Sequence, residues 1–200
     1  MARLAYSKSS LSKIGAQLKR YKKFLPSLDL KRQQLAAERK KAQLRLQQTE
    51  LDIAQCYQQT AAMLPMLADK SIHMTDLVKL TQVEIGEENI VGVYVPILDK
   101  MVIEVRPYSL FTEPHWVDQL VVQLKVMMEL KIRQQIDTQR VEILGQALKK
   151  VTQRVNLFDK VLIPQAQQDM RKIRIYLSDM DTAGVVRAKS TKQKRLREAS

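Results

Sequence analysis

The 200-residue sequence has one cysteine, two histidines, five glycines and only 5% aromatic residues. A lone cysteine, Cys56, excludes an internal disulfide and suits a reducing compartment. Scarce glycine leaves no phosphate-cradling loop: Lys8-Ser9-Ser10 lacks the glycines that a P-loop places before its Lys-Ser/Thr pair. His73 and His115 have no second His, Cys or suitably spaced carboxylates nearby, so no metal site is expected. Ser10 and Lys13 fit a Ser-x-x-Lys pattern, but such a match is frequent by chance in a Lys-rich helix. With no glycine loop, triad or carboxylate pair, the chain reads as neither an enzyme nor a cofactor binder. No apolar run approaches the ~18 residues of a membrane span, and the N-terminus lacks the apolar core, about 7–15 residues long, of a secretory signal. The expectation is a cytoplasmic protein with no direct membrane insertion, near a membrane only through a partner.

Acids are also in short supply. The chain carries 34 Lys and Arg against 21 Asp and Glu, a formal net charge of +13. Such a surface suits an acidic partner, whether nucleic acid, an anionic membrane or an acidic protein face. The excess is local: residues 1–50 hold thirteen Lys or Arg and only Asp29, Glu38 and Glu50 as acids. Lys13, Lys19, Arg20, Lys22 and Lys23 cluster there, and Arg187, Lys189, Lys192, Lys194, Arg195 and Arg197 form a second cluster near the C-terminus. Nucleic-acid readers usually mix stacking aromatics or a groove-sized recognition helix into such charge. Here Tyr21 falls on an apolar seam, so the reading favours no nucleic acid and a protein-facing basic surface.

What is plentiful is the vocabulary of long helices: Lys, Arg, Gln, Leu and Ala. Alternating steps of three and four from residue 11 pass through Leu11, Ile14, Leu18, Tyr21, Leu25, Leu28, Arg32, Leu35, Arg39, Ala42, Leu46, Thr49, Ile53, Cys56, Thr60, Met63 and Leu67. A seam held this long is a coiled-coil signature. A second seam runs through Val141, Leu144, Leu148, Val151, Val155, Phe158 and Leu162. It extends upstream through Val117, Val121, Leu124, Met128, Ile132 and Ile136, and downstream through Ile173, Leu177 and Met180. The predicted helices are 8–67 and Pro114 to Met180. Neither narrow seam can bury itself alone, so the two should pair antiparallel with both termini at one end. Paired residue numbers should then sum to roughly 180, each residue advancing the axis by ~1.5 Å. Cys56 should be a small buried hydrophobe in that core. Pro26 and Pro164, inside the helices, should each bend the rod.

Between the helices, Asn89 to Val105 is β-branched and apolar. Asp76 to Val83 reads as a short helix and Gly86 to Asn89 as a turn. Val91, Val93 and Val95 alternate, as do Met101, Ile103 and Val105, suggesting a hairpin with Leu98-Asp99-Lys100 in its loop and Pro96 on an edge. An isolated hairpin is marginal in water, so this one needs the base of the coil or another protein against it. Asn89, Gly92, Val93, Val95, Pro96 and Ile103 are its candidate docking residues. The predicted class is all-α: a long antiparallel two-helix coiled coil with a small β-hairpin/short-helix insertion at midchain. Three segments follow: 1–67, 68–113 and 114–200.

Three stretches carry a family resemblance. Phe24-Leu25-Pro26-Ser27-Leu28-Asp29-Leu30-Lys31-Arg32-Gln33-Gln34-Leu35 corresponds to a Leu-rich basic helix ending Leu-Leu-x-x-Lys-Arg-x-x-Leu, Gln33 standing where a further acid is common. Asn89-Ile90-Val91-Gly92-Val93-Tyr94-Val95-Pro96 matches Asn-Ile-x-Gly-Val-x-Val-Pro, and Arg154-Val155-Asn156-Leu157-Phe158 with Ile163-Pro164 matches a third motif. The chain thus resembles the D subunit of V-type rotary ATPases, vacuolar and archaeal-type. The resemblance implies a non-catalytic central-stalk shaft coupling ATP hydrolysis or synthesis to proton or sodium transport. It implies partners in the A and B subunits of the catalytic hexamer, the small rotor F subunit and the connector to the membrane rotor ring. The basic residues would face the hexamer and the hairpin would dock rotor partners. A basic coiled-coil adaptor for nucleic acid or cytoskeleton is the alternative. An F-type gamma subunit carries a midchain α/β domain too large for 68–113.

Overall fold

The computed structural model describes residues 5–63, 77–108 and 116–198. In chain order these form helix α1 (Lys8–Met63), strands β1 (Val78–Ile90) and β2 (Val93–Val105), helix α2 (Trp116–Leu157), a π-helical turn (Phe158–Leu162) and helix α3 (Ile163–Glu198). Leu67, Pro65, His73, Asp76, Pro114 and His115 lie outside the described residues. By its contacts the chain divides into two compact units, Met1–Lys31 with Lys150–Ser200, and Arg32–Lys149.

Each unit is built on an antiparallel helix pair. In the first, Tyr6 and Tyr176 stack at 5.0 Å, Gly15 faces Met170, and Tyr21 meets Phe158 edge-on at 5.4 Å. In the second, Gly145 faces Arg39 and the Cys56 thiol donates to Gln123 Oε1 at 3.4 Å. The paired numbers add to between 179 and 185 in both units, the register expected of equal advance along two antiparallel helices.

The α1 seam is filled as its periodicity requires: every position from Leu11 to Thr60 is buried or half-buried. This includes Arg32, Arg39, Thr49 and Thr60, which have no apolar side chain to contribute. The threonines fit because their hydroxyls bond back one turn, Thr49 to the Arg45 carbonyl at 3.0 Å and Thr60 to the Cys56 carbonyl at 2.8 Å. On the partner helices Val117, Val121, Ile136, Leu144, Val151, Val155 and Ile173 are buried. Met180 is 48% exposed and ends the seam.

The two internal prolines act differently. Pro26 is exposed, and α1 runs through it; Ser27 Oγ donates to the Phe24 carbonyl at 2.8 Å beside it. Ahead of Pro164 the helix widens into the π turn, where the Ile163 N–H reaches back to the Phe158 carbonyl. A π turn holds one extra residue. The seam records it: after Leu162 a strict heptad would bury residues 165 and 172, but Ala166 and Ile173 are buried instead, one position later.

The midchain segment departs from the sequence expectation. Val78 to Val83 is strand, not helix, and Gly86 to Asn89 is strand, not turn. Leu98-Asp99-Lys100 lies within β2 rather than in a loop. The hairpin is therefore longer, two 13-residue antiparallel strands closed by Val91-Gly92. Both turn residues have positive φ, 53° for Val91 and 76° for Gly92, which is the type I′ geometry whose twist matches flanking strands. Asn89 Oδ1 accepts the Gly92 N–H at 2.8 Å and pins the turn. The register slips at Thr81 on β1 and back at Asp99 on β2. Each extra residue inverts the alternation, so Val83 lies on the more covered side with Val78 and Leu80 although its number is odd.

The base of the hairpin is anchored. Leu77, Trp116, Val117, Leu120 and Val121 form a buried cluster, with Val78, Val105, Tyr108 and Leu124 packed on it. The Arg106 N–H donates to the Leu77 carbonyl at 3.0 Å and closes the neck. This is the support that a two-stranded sheet needs.

Two substitutions test this packing. Leu144, fully buried, should cost about 2–5 kcal/mol on change to alanine, whereas Leu44, 57% exposed on the opposite helix, should cost well under that on the same change; thermal unfolding of the two variants measures the difference. Val91 is β-branched in a left-handed conformation that disfavours it, so Val91→Asn, creating the favoured Asn-Gly pair, should raise stability by about 1 kcal/mol. Chemical denaturation reads that gain, and an unchanged midpoint would mean that lost packing of the valine offsets it.

Candidate interaction surfaces

No group of His, Cys, Asp and Glu able to hold a metal occurs among the described residues. No described helix is long and apolar enough to cross a membrane. What the structure presents instead are two surfaces of opposite charge, one in each unit.

In the first unit, Lys13, Lys19, Arg20, Lys22 and Lys23 are all exposed on α1. They project away from a seam of Leu11, Ile14, Leu18, Tyr21 and Leu25, because the 3.6-residue period puts apolar and charged positions on opposite faces. Arg187, Lys189 and Arg195 are exposed on α3. None of these eight joins an ion pair among the described residues. Helix α3 continues well beyond the predicted end at Met180, to Glu198. Every residue from Ser178 to Arg195 is exposed, Val185 and Val186 at 55% and 57%. Gly184 has nothing within 4 Å of the position a Cβ would take. This stretch carries no seam, so periodicity could not reveal it as helix; its Lys, Arg, Gln and Ala content was the available signal.

In the second unit, the hairpin carries Glu84, Glu87, Glu88, Asp99 and Glu104 against Lys79 and Lys100. Of the sequence-derived docking residues, Gly92 lies in the turn, Asn89 pins it from the end of β1, and Val95 is completely buried. Val93, Pro96 and Ile103 are half-buried, and the side chains that stand out are Ile85 and Tyr94, 57% and 63% exposed. Near the turn, Glu88 receives a hydrogen bond from the Arg140 guanidinium of α2. Arg140 is 8% exposed. The seam reading passed from Ile136 to Val141 and overlooked it, yet Ile136, Arg140 and Leu144 are successive i, i+4 positions. A charge on that buried line requires a partner from elsewhere in the chain. Arg39, one of the seam exceptions, packs on Gly145, and its buried Nε finds no hydrogen-bond acceptor.

Beside the neck, Tyr108 donates its hydroxyl to Asp118 Oδ1 at 2.6 Å, and Asp118 lies in the first turn of α2, where a carboxylate complements the helix dipole. The hydrogen bond to Asp118, then burial, then the carboxylate charge hold the Tyr108 phenol above its usual value.

Each unit thus pairs helices, and the exposed surfaces of the two differ in the sign of their charge. The comparisons with known proteins agree on the class of the chain. The family model of the ATP synthase D subunit matches residues 10–193. The V-type ATP synthase D subunit of Borreliella burgdorferi is 32% identical over 192 residues, covering 96% of this chain and 95% of that protein. The protein of the same name from Chlamydia pneumoniae is 32% identical over 193 residues, with 94% and 91% covered. That from Chlamydia felis is 38% identical over 116 residues, 58% of this chain and 56% of that protein. The chain belongs to the ATP synthase D-subunit family.

The Tyr108 contact gives a pH test. A folded-state phenol pKa raised above 10.0 contributes stability that is present below that value and is lost as pH climbs through the raised one. Wild type should therefore exceed Tyr108→Phe in stability by a constant margin up to the unfolded phenol's pKa. That margin should shrink above it, as followed by denaturation at a series of alkaline pH values.

Proposed function

We propose that this chain is the central rotor shaft of a V-type rotary ATPase. It is itself non-catalytic and couples ATP hydrolysis or synthesis in a hexamer of A and B subunits to proton or sodium transport. Family membership along nearly the whole chain is the observation that carries this reading. A nucleic-acid or cytoskeletal adaptor has no support from those relatives.

In this reading the first unit enters the hexamer. Lys13, Lys19, Arg20, Lys22, Lys23, Arg187, Lys189 and Arg195 face acidic loops of the A and B subunits. A shaft must be held there without being locked. Hydrophobic contact is short-ranged and would trap one orientation. Charge acts over about 8–10 Å at physiological salt and varies smoothly with angle. Because a single shaft meets successive A–B interfaces with different faces, it stabilises a different state at each, and turning it passes those states around the ring. The second unit, with its hairpin, joins the F subunit and the connector to the membrane ring. The shaft is thus cytoplasmic and peripheral to the membrane, held within the soluble sector.

Reversing Lys13, Lys19, Arg20 and Lys22 together to Glu should release the shaft from the hexamer, while single Lys→Ala changes, about 0–1 kcal/mol each, should do little. Shaft–hexamer affinity should also fall as salt rises. Binding that survives the fourfold reversal and ignores salt would show the basic face to be merely solvated. Failure of the wild-type chain to co-purify with a nucleotide-hydrolysing hexamer would overturn the rotor reading itself.

A further inference from the structure

The hairpin is held at two places by different physics. Its base is apolar: Leu77, Trp116, Val117, Leu120 and Val121 are all buried together. Its tip is held by charge: Arg140 on α2, almost completely covered, donates to Glu88, which is 44% exposed. Two further side chains at the tip, Ile90 and Val95, are buried. Between base and tip, the strands carry one extra residue each, Thr81 and Asp99, where the ladder is interrupted. Beneath the tip an open cleft of about 410 Å³ separates Gln34, Ala37 and Glu38 of α1 from Glu88, Asn89, Ile90 and Val91.

We propose that the hairpin is a hinged strap, fixed at its base and reversibly latched at its tip by the Glu88–Arg140 ion pair. Lifting the base would expose apolar surface to water with nothing gained in return. Lifting the tip uncovers only Ile90 and Val95 besides Arg140, against five buried apolar side chains at the base, and although it breaks an ion pair it returns both charges to water, so the regained hydration offsets much of the lost attraction. The open cleft lies between the tip and α1. The ion pair puts the weak point at the tip, and the interrupted ladder supplies the hinge. The strap has a closed form, in which Ile90, Val95 and Arg140 are covered, and an open form that uncovers them.

The inference rests on the chain's own packing and not on the rotor reading, so it is tested on the full-length chain alone by amide hydrogen exchange. Glu88→Arg and Arg140→Glu should each speed exchange at the ladder amides of residues 88–95 by about ten- to a hundredfold, the scale of one charge-assisted hydrogen bond. Protection at Val78–Leu80 and Ile103–Val105 should stay unchanged. The double variant, with the charges exchanged, should restore tip protection to near wild type. Molar salt should speed tip exchange in wild type. Tip protection unaltered in both single variants would overturn the latch. So would loss of base and tip protection together, which would make the hairpin one cooperative unit. Failure of the exchanged pair to recover protection, with the base intact in all variants, would also overturn it and assign tip burial to Ile90 and Val95 instead.

Discussion

Everything in this chain depends on one constraint: two long helices each carry an apolar stripe too narrow to be buried by the helix itself. A heptad stripe covers a small part of a helix surface, so an isolated helix would leave it in water. Antiparallel pairing covers both at once. It also explains why the same number relation holds in both compact units, from Tyr6–Tyr176 to Cys56–Gln123. The π turn before Pro164 shows how strongly the pairing is enforced. The helix accommodates one surplus residue in its backbone, and Ala166 and Ile173 resume the seam one position later.

The parts legible in the sequence were those that repeat. Steps of three and four located the α1 core down to its polar members, because burial there is set by angle around the helix and not by residue type. The hairpin was harder. Its two slips, at Thr81 and Asp99, break the alternation by which strands are recognised. Around the first, Val-Lys-Leu-Thr-Gln-Val reads equally well as a helical turn, and further on Gly86 looks like a turn residue. In the structure Gly86 is in a strand, where a Cβ would stand 2.1 Å from Oδ2 of the exposed Asp99 side chain and push it aside. The alternation of Val91, Val93 and Val95 also misled: it reads as one strand, but Val91 and Gly92 are the turn. The Glu88–Arg140 pair was not legible, since a contact across 52 residues leaves no periodic trace.

Charge is distributed against the overall balance. A chain of net +13 keeps its excess on α1 and α3 while the hairpin carries five acids to two lysines. One of those acids meets the arginine that interrupts the buried line of α2. Arg140 would be costly there without an anion, and Glu88 supplies one from a strand whose surface is otherwise acidic. The same opposition separates the interaction surfaces by sign. The basic faces of α1 and α3 attract acidic groups, and the hairpin repels them.

The far part of α3 is the extreme case. From Ser178 to Arg195 every residue of the helix is exposed, and within it sits Gly184, which by itself disfavours helix by about 1 kcal/mol relative to alanine. Most helical stability in proteins comes from packing of an apolar face, and this exposed stretch buries little. Its own sequence offers little compensation: Asp179 and Asp181 precede a run of six Lys and Arg, and like charges one turn apart repel. Repulsion of this kind is relieved by acidic groups brought from outside, which would also order the helix. The exposed end of α3 is therefore the part of the described chain that its own packing stabilises least.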